Sequence, residues 1–244
     1  MVIIKIGIQG GVIRMDKICS IMQPTYLPWS GYFNLIDRAS NFIFLDDAQF
    51  SKNSWHNRNT ILSSGEKNWI SVPVGKDLVA INTKQPNYYS KWNVKHVKIL
   101  QANYGRHPHF NDLDIILNYL GGLTNESLSE VNMSLIELIS DKLGLSCNFV
   151  KNSSLNIKGS RTGRLVEICK KFYATTYLSP AGAKEYITND GDFLKSDIDV
   201  EFQIFTPSKY VQKGSKEFIS HLSIVDVIAN IGWDNSLEYI RNRQ

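Results

Sequence analysis

The chain has 244 residues, of which 43% are hydrophobic and 11% aromatic, and this composition is typical of a folded globular protein. Its formal net charge is +4, with lysines and arginines scattered along the chain, which argues against a nucleic-acid-binding protein. No apolar run approaches the roughly 18 residues that span a membrane, and three cysteines without metal-like spacing are typical of reduced thiols in a cytoplasmic protein.

The first fourteen residues stand apart from the remainder. They are too short for a signal peptide and lack its cleavage-site pattern. Because Met15 leads directly into the first apolar strand, we expect Met15 to be the native start and residues 1–14 to be a non-native extension. Residues 15–244 are then expected to form a single α/β domain.

Apolar runs and amphipathic segments alternate along the chain. The predicted strands are 18–22, 42–45, 69–74, 147–150, 175–178 and 199–205. The predicted helices are 31–39, 162–172 and 222–231, together with a helical stretch at about 91–143. This alternation predicts an α/β protein with a Rossmann-like, mainly parallel sheet, and residues 91–143 form a helical insertion or cap over it.

Polar and aromatic side chains are concentrated in the loops that follow the first two predicted strands. Loops of this kind lie at the carboxyl edge of a parallel sheet, where ligands bind. The sequence therefore predicts a ligand site there. Its candidate substrate-binding residues are Gln23, Tyr26, Trp29, Gly31, Tyr32, Gln49, Lys52, Trp55, Asn57, Arg58 and Asn59.

Three titratable residues in the same stretch are candidates for general base catalysis. Asp46 and Asp47 follow a predicted strand, and strand alternation is expected to direct only one of them into the site. The alternative is a turn in which an Asp side chain accepts hydrogen bonds from backbone amides. His56 lies among an aromatic ring, two amides and a guanidinium, a combination that suits a sugar and a phosphate. The alternative for this loop is a purely structural role.

A second group of candidates follows the later predicted strands. Small residues between a strand and a helix let backbone amides approach an anion, although a plain turn has the same pattern. No Gly-x-Ser-x-Gly motif is present, so a nucleophilic serine is not predicted. These further substrate-binding candidates are Ser179, Gly182, Tyr186, Tyr210 and Gln212.

A metal site is not predicted. His107 and His109 flank a proline, which favours an extended backbone that separates the two imidazoles. No cysteine, histidine or aspartate cluster at metal-ligand spacing accompanies them. No cofactor is assigned from the sequence.

Several motifs together resemble the WbqC-like protein family. They run in order from about Met15 to near the C-terminus: Met22-Gln23-Pro24-x-Tyr26-Leu27-Pro28-x-x-Gly31-Tyr32, Asp46-Asp47-x-Gln49-Phe50-x-Lys52, Trp55-x-Asn57-Arg58-Asn59, Trp69-x-x-Val72-Pro73-Val74, Tyr177-Leu178-Ser179-x-x-Gly182-x-x-x-Tyr186, Tyr210-x-Gln212 and Leu222-Ser223-x-x-Asp226. The resemblance implies a role in bacterial surface polysaccharide (O-antigen) biosynthesis. It also implies an enzyme that decorates sugars, described for the family as a glycine or aminoacyl transferase.

A fainter resemblance links the opening strand, loop and helix to nucleotidylyltransferases and pantothenate synthetase. Those proteins carry His-x-Gly-His at the helix start, where the glycine lets a phosphate approach the helix N-terminus. Here the same positions read Trp29-Ser30-Gly31-Tyr32, so the glycine is kept and both histidines are replaced. The resemblance implies a shared architecture, but not nucleotidyl transfer by the usual route.

These observations lead to one principal expectation and two alternatives. The principal expectation is a transferase that moves an aminoacyl (glycyl) or acyl group from an activated donor to an aminosugar, which is nucleotide-linked or part of a lipid-linked glycan. His56 or one of the two aspartates would be the base, and Arg58, the helix N-terminus near Gly31 and the flanking asparagines would hold a phosphate or oxyanion. The alternatives are an ATP-using adenylating or nucleotidyltransferase-like enzyme, and a non-catalytic nucleotide-sugar-binding scaffold.

Overall fold

Five short parallel strands form the centre of the structure. The computed structural model describes residues 17–241, so the predicted extension at residues 1–14 lies outside the described residues. The strands of the chain are β1 (Ile18–Met22), β2 (Asn41–Phe44), β3 (Arg58–Ser63), β4 (Glu66–Ser71), β5 (Asn148–Lys151), β6 (Thr176–Ser179) and β7 (Asp199–Phe202). The main sheet has the order β5-β2-β1-β6-β7 with every neighbouring pair parallel. The predicted Rossmann-like α/β class is confirmed.

Helices cover the sheet and form the insertion. They are α1 (Ser30–Arg38), α2 (Trp92–Tyr104), α3 (Asp114–Gly122), α4 (Leu128–Lys142), α5 (Arg161–Lys171), α6 (Lys184–Asp190) and α7 (Ile224–Arg241). Helices α2 to α4 lie between β4 and β5 and account for the predicted helical insertion. Helix α4 begins at a capping box, in which Ser127 and Glu130 each accept a hydrogen bond from the other's backbone amide.

The strands alternate between two apolar layers, as expected for a sheet covered on both faces. Cys19, Ile21 and Ile43 pack into a smaller core beside α5 and α6. Phe42 and Phe44 of β2 point to the opposite face, into a larger core that includes α1, α7 and the insertion helices. Burial on both faces explains why the central strands β1 and β2 contain mostly apolar residues.

The order of the strands places a switch point beside β1. The chain proceeds from β1 to β2 on one side, and β6 later pairs with β1 on the other side. In open sheets of this kind, ligands bind in the crevice outside the carboxyl ends of the strands at the switch point. The loop after β1 therefore occupies the position where a ligand site is expected.

The strands predicted between residues 58 and 74 differ from the observed ones, which form a separate antiparallel hairpin, β3–β4. The segment from Arg58 was expected to be loop, and a strand was expected at residues 69–74. Instead, β3 and β4 pair in full register and are joined at Ser64 and Gly65, both of which have positive φ. Two central residues with positive φ form the tight turn that matches the twist of a hairpin. Because β3 begins with polar residues, the pattern of apolar residues did not indicate a strand there.

Candidate functional site

The loop after β1 is fixed in place by the hairpin. Asn59 on β3 donates from Nδ2 to the carbonyl oxygens of Tyr26 (3.1 Å) and Leu27 (2.8 Å). The Tyr26 amide donates to the carbonyl of Trp55 (3.0 Å), and its hydroxyl donates to Nδ1 of His96 (2.8 Å). Tyr26 and Asn59, both predicted to bind substrate, are buried. Their side chains position the loop and the hairpin relative to each other.

His56 is buried beside this loop and is hydrogen-bonded at both ring nitrogens. Nδ1 accepts a long hydrogen bond from the Ser51 amide (3.4 Å), and Nε2 donates to Oε1 of Gln23 (3.0 Å). Burial lowers the pKa of His56 from 6.5 to about 4, so the imidazole is neutral at neutral pH. The exposed Gln23, whose carbonyl also accepts from the Tyr32 hydroxyl (3.0 Å), connects this imidazole to the surface.

Two tryptophans next to His56 face solvent. The rings of Trp55 and Trp69, which we call the indole pair, have centroids 5.3 Å apart and are 51% and 52% exposed. The guanidinium of Arg58 lies 4.0 Å from the Trp69 ring centroid. The hairpin register creates this contact, because Arg58 and Trp69 are diagonal neighbours across β3 and β4.

Arg58 is oriented by the loop that precedes it. Its Nη2 donates to the carbonyl of Asn53 (2.5 Å), and Nη1 lies 3.5 Å from Oδ1 of the same residue. Asn57 donates from Nδ2 to the carbonyl of Val72 (2.8 Å), and its Oδ1 accepts no hydrogen bond within the described residues. The predicted residues Gln49 and Lys52 are exposed nearby in sequence. The structure thus forms an open surface with two aromatic faces, a cation and several amides.

Asp46 and Asp47 both turn towards the segment that follows β5. Both oxygens of Asp46 accept from Ser153, one from its amide (2.9 Å) and one from its hydroxyl (2.6 Å). Asp47 accepts from Asn152 (2.9 Å) and forms an ion pair with Arg164. Strand alternation was expected to separate the two side chains, but β2 ends at Phe44 and alternation does not continue into the turn. Asp46 joins the turn after β2 to the segment after β5, and Asp47 joins the same turn to that segment and to α5.

The N-terminus of α1 is covered by an indole. Trp29 lies over Gly31, where an added Cβ would come within 2.2 Å of the ring. The same ring packs against His221 (4.7 Å between centroids) and Phe205 (5.6 Å). The expected function of Gly31 was to let a phosphate reach the helix; in the structure its missing side chain makes room for Trp29.

The candidates after β6 lie apart from the indole pair. Ser179 is fully buried and donates to the carbonyl of Pro180 (3.2 Å). Gly182 has open space where a side chain would be, and Tyr186 on α6 is 47% exposed. The structure records no hydrogen bond or ring contact, within residues 17–241, that links these three residues to the indole pair.

Tyr210 and Gln212 converge on a buried carboxylate. The Tyr210 hydroxyl (2.5 Å) and Gln212 Nε2 (2.6 Å) both donate to Oδ2 of Asp226 on α7. Asp226 is fully buried, and burial raises its pKa. Both residues were expected at a substrate rim, whereas here they attach the segment before α7 to that helix. Asp226 was not among the candidate site residues, although an aspartate within an apolar helix pattern was a signal for it.

A comparison with protein families matches residues 23–238 to the model described as "WbqC-like protein family". The chain belongs to the WbqC-like family. It is 30% identical over 234 residues to the "Uncharacterized protein Rv1507c" of Mycobacterium tuberculosis (strain ATCC 25618 / H37Rv), which covers 93% of this chain and 98% of that protein. No solved structure matches the chain significantly.

The WbqC-like motifs map onto three places in the fold, one of which is the region of β6 and α6 that holds the motif at residues 177–186 and lies apart from the indole pair. The motifs at residues 22–32, 46–52 and 55–59 meet at the carboxyl edge of β1 and β2, and Trp69 of the next motif completes the indole pair. The motifs around Tyr210 and Asp226 meet in the buried cluster on α7. The first group includes solvent-facing side chains and is therefore our candidate site.

The candidate site is an open surface and not a deep pocket. Two surface depressions of about 550 Å³ and 570 Å³ lie elsewhere, one beside α5 and the other beside the turn at Tyr88, and no predicted site residue lines either of them. Across residues 17–241, no group of three or more His, Cys, Asp or Glu side chains could hold a metal ion. No helix in this part of the chain combines the length and apolar character needed to cross a membrane.

Proposed function

We propose that this protein is a cytoplasmic sugar-modifying enzyme of bacterial surface polysaccharide biosynthesis. It transfers an aminoacyl (glycyl) or acyl group to the amine of an activated aminosugar. The observation that carries the proposal is the solvent-exposed indole pair with the Arg58 guanidinium over Trp69. Exposed aromatic faces bind the apolar face of a sugar ring, and a guanidinium binds phosphate oxygens in a bidentate manner.

The position of the indole pair supports the same proposal. Trp55 accepts a backbone hydrogen bond from the loop after β1, at the switch point where ligands bind in related sheets. Half-exposed tryptophans carry a large apolar area in water, and a pair of them in contact marks a binding surface more often than a single one. The proposed ligand is a sugar activated through a phosphate, on a nucleotide or a lipid carrier.

The transfer step forms one bond and breaks one. The amine nitrogen of the sugar attacks the carbonyl carbon of the activated donor, the C–N bond forms, and the donor's leaving group departs with its electron pair. A base accepts the proton that the nitrogen loses. Among the three candidate bases, His56 follows Trp55 directly and has a neutral ring whose Nδ1 accepts only a long hydrogen bond from the Ser51 amide (3.4 Å). Asp46 and Asp47 are held by short hydrogen bonds and an ion pair to the β5–α5 segment. We assign the proton acceptor role to His56.

The test measures binding first and transfer second. Isothermal titration with a nucleotide-linked aminosugar is expected to show binding that Trp69→Ala and Arg58→Ala each weaken by about tenfold or more. Tyr89→Ala, which removes a fully exposed ring elsewhere, is the matched control and should bind normally. Unchanged binding in Trp69→Ala would overturn the proposal.

The transfer itself is followed by mass spectrometry of the aminosugar in the presence of aminoacyl and acyl donors. His56→Gln is expected to retain binding and lose transfer. Consumption of ATP with release of pyrophosphate would instead favour the adenylating alternative, against which the indole-covered N-terminus of α1 already argues. Binding with no transfer from any donor would favour the scaffold alternative.

A further inference from the structure

A buried lysine lies close to the candidate site. Lys84 is 1% exposed, and its backbone is fixed on both sides: its amide donates to the carbonyl of Ile81 (3.2 Å), and its carbonyl accepts from the Leu128 amide at the start of α4 (2.8 Å). Burying an ammonium costs several kcal/mol unless it is paired. The identity of its partner therefore shows how the fold uses this charge.

The anionic partner of Lys84 within the described residues is a solvent-facing loop residue. Nζ donates to the carbonyl oxygen of Asp77 (2.5 Å) and lies 2.9 Å from Oδ1, and the Asp77 side chain is 58% exposed. The other contact recorded for Nζ among residues 17–241 is the face of Phe50, whose centroid is 4.7 Å away. The fold thus fixes the cation and leaves the anion on a loop.

That loop, residues 75–79, is attached mainly at its two ends. Val74 forms a bridge with Pro86, and the Phe50 amide donates to the carbonyl of Val79 (2.8 Å). In the described part of the chain, the Lys84 ammonium makes the only recorded hydrogen bond between residues 75–78 and the rest of the protein. The contact between Asp77 and Lys84 therefore holds the loop closed.

Gly75 allows the Asp77 carboxylate to turn inward. An added Cβ at Gly75 would lie 2.4 Å from Oδ1 of Asp77 and 4.0 Å from Nζ of Lys84. The space beside the ammonium is therefore large enough for one carboxylate but not for that carboxylate and a side chain at residue 75. An anion of similar size could occupy it if Asp77 moved out.

Phe50 connects the ammonium to the proposed transfer site. The Phe50 ring that covers Nζ has its centroid 5.9 Å from that of the His56 ring. His56 lies between Trp55 and Asn57 of the candidate surface.

A sugar linked through a diphosphate carries two phosphate groups, and Arg58 is available to only one of them. Trp29 covers the N-terminus of α1, which is therefore not a site for the other. The Lys84 ammonium, separated from His56 by the Phe50 ring, is a further cation for it.

We propose that Lys84 binds a phosphate group of the substrate, and that Asp77 occupies this anion site in the free protein. The inference rests on the proposed function, since it supplies the phosphate site for the activated sugar bound at the indole pair. A phosphate displaces both the carboxylate and the carbonyl oxygen of Asp77 from Lys84 and so releases the 75–79 loop. Asp77 is therefore an internal competitor of the ligand.

The test is a titration with inorganic pyrophosphate, followed by calorimetry, on the full chain. Lys84→Met keeps the apolar stem against Phe50, removes the charge, and is expected to weaken binding by about tenfold or more. Asp77→Asn removes the competing charge and is expected to bind more tightly than wild type.

Lys76→Met is the matched control, because it removes an exposed positive charge from the same loop and is expected to change binding little. A purely structural ion pair would make Asp77→Asn and Lys84→Met change thermal stability in unfolding scans while leaving pyrophosphate binding equal to wild type. That result, or the absence of pyrophosphate binding in both wild type and Asp77→Asn, would overturn the proposal.

The two proposals fail in different ways. Pyrophosphate carries no sugar, so its binding tests the phosphate site alone. If pyrophosphate binds through Lys84 while no aminosugar binds at the indole pair, the phosphate site stands and the proposed function fails. If aminosugar binding requires Trp69 and is unchanged in Lys84→Met, the phosphate site fails. Titration with a nucleotide-linked and a short lipid-linked diphosphate sugar distinguishes the two sources of the phosphate.

Discussion

The indole of Trp29 occupies the space that a side chain at Gly31 would need, with ring carbons 2.2 to 2.6 Å from an added Cβ. Gly31→Ala must push a ring that is packed against His221 and Phe205, so we expect a loss of about 1–3 kcal/mol of unfolding free energy. Urea unfolding measures the change. In Gly122→Ala a Cβ meets nothing within 4 Å, so this control should be neutral or slightly stabilising.

If Gly31→Ala is as stable as Gly122→Ala, the Trp29 ring does not pack on α1 as described. In that case the N-terminus of α1 would be open, and a phosphate site there would again be plausible.

Two buried histidines predict acid sensitivity. Burial lowers the pKa of His56 and of His96 from 6.5 to about 4 in the folded state. The unfolded chain therefore binds more protons below about pH 6.5, and stability present above that pH is lost as pH falls towards 4. The loss is up to about 3 kcal/mol for each histidine. Urea unfolding from neutral pH to about pH 4 should show a steepening decline in stability.

The variant His96→Gln, which removes one of the two groups, should show a smaller decline over the same pH range. Tyr26 can still donate to the glutamine oxygen, so the comparison isolates the titration. An equal decline in both proteins would show that His96 does not titrate in this way.

Asp46 is expected to contribute to folding stability and not to act as the catalytic base. Both of its oxygens accept hydrogen bonds from Ser153, and Asp46→Asn replaces one acceptor with a donor. We expect a loss of about 1–3 kcal/mol in urea unfolding. Asp197→Asn, at an exposed position, is the control and should change little. Lost transfer with unchanged stability would instead make Asp46 a candidate base.

Asp226 predicts a pH dependence of stability opposite in sign to that of the two histidines. Burial raises its folded-state pKa above the reference of 3.8, so its contribution to stability is complete below that pH and is lost as pH rises through the folded value. Asp226→Asn keeps an oxygen for Tyr210 and Gln212 and is expected to equal or exceed wild-type stability at neutral pH. Tyr210→Phe removes a donor and should cost about 1–3 kcal/mol. The reverse ranking in urea unfolding would show that the charged form of Asp226 is needed.

The three central strands of the main sheet were predictable because they are buried on both faces and contain apolar runs. The hairpin was not, because β3 begins with Arg58 and Asn59, residue types that favour loops. Asn59 is tolerated in the strand because its side chain bonds to the carbonyls of the β1 loop. Such a long-range contact leaves no local pattern in the sequence.

The candidate site was predicted in part. The sequence identified Trp55, Arg58 and His56, but the pairing of Trp69 with them depends on the register of the hairpin. Alternation failed at Asp47 because the strand ends three residues earlier. No pattern in the sequence indicated that Lys84 is buried, because lysine is normally exposed and the burial of this one depends on the 75–79 loop.

The hairpin also affects how this family can diversify. Strand β4 pairs only with β3 in the described structure, and five of its six side chains are exposed. Substitutions on β4 therefore carry little risk to folding, while Trp69 on the same strand contributes directly to the ligand surface. If the indole pair binds the sugar as proposed, ligand preference in this family can change through β4, and a chimera carrying a relative's β4 would acquire that preference without redesign of the core.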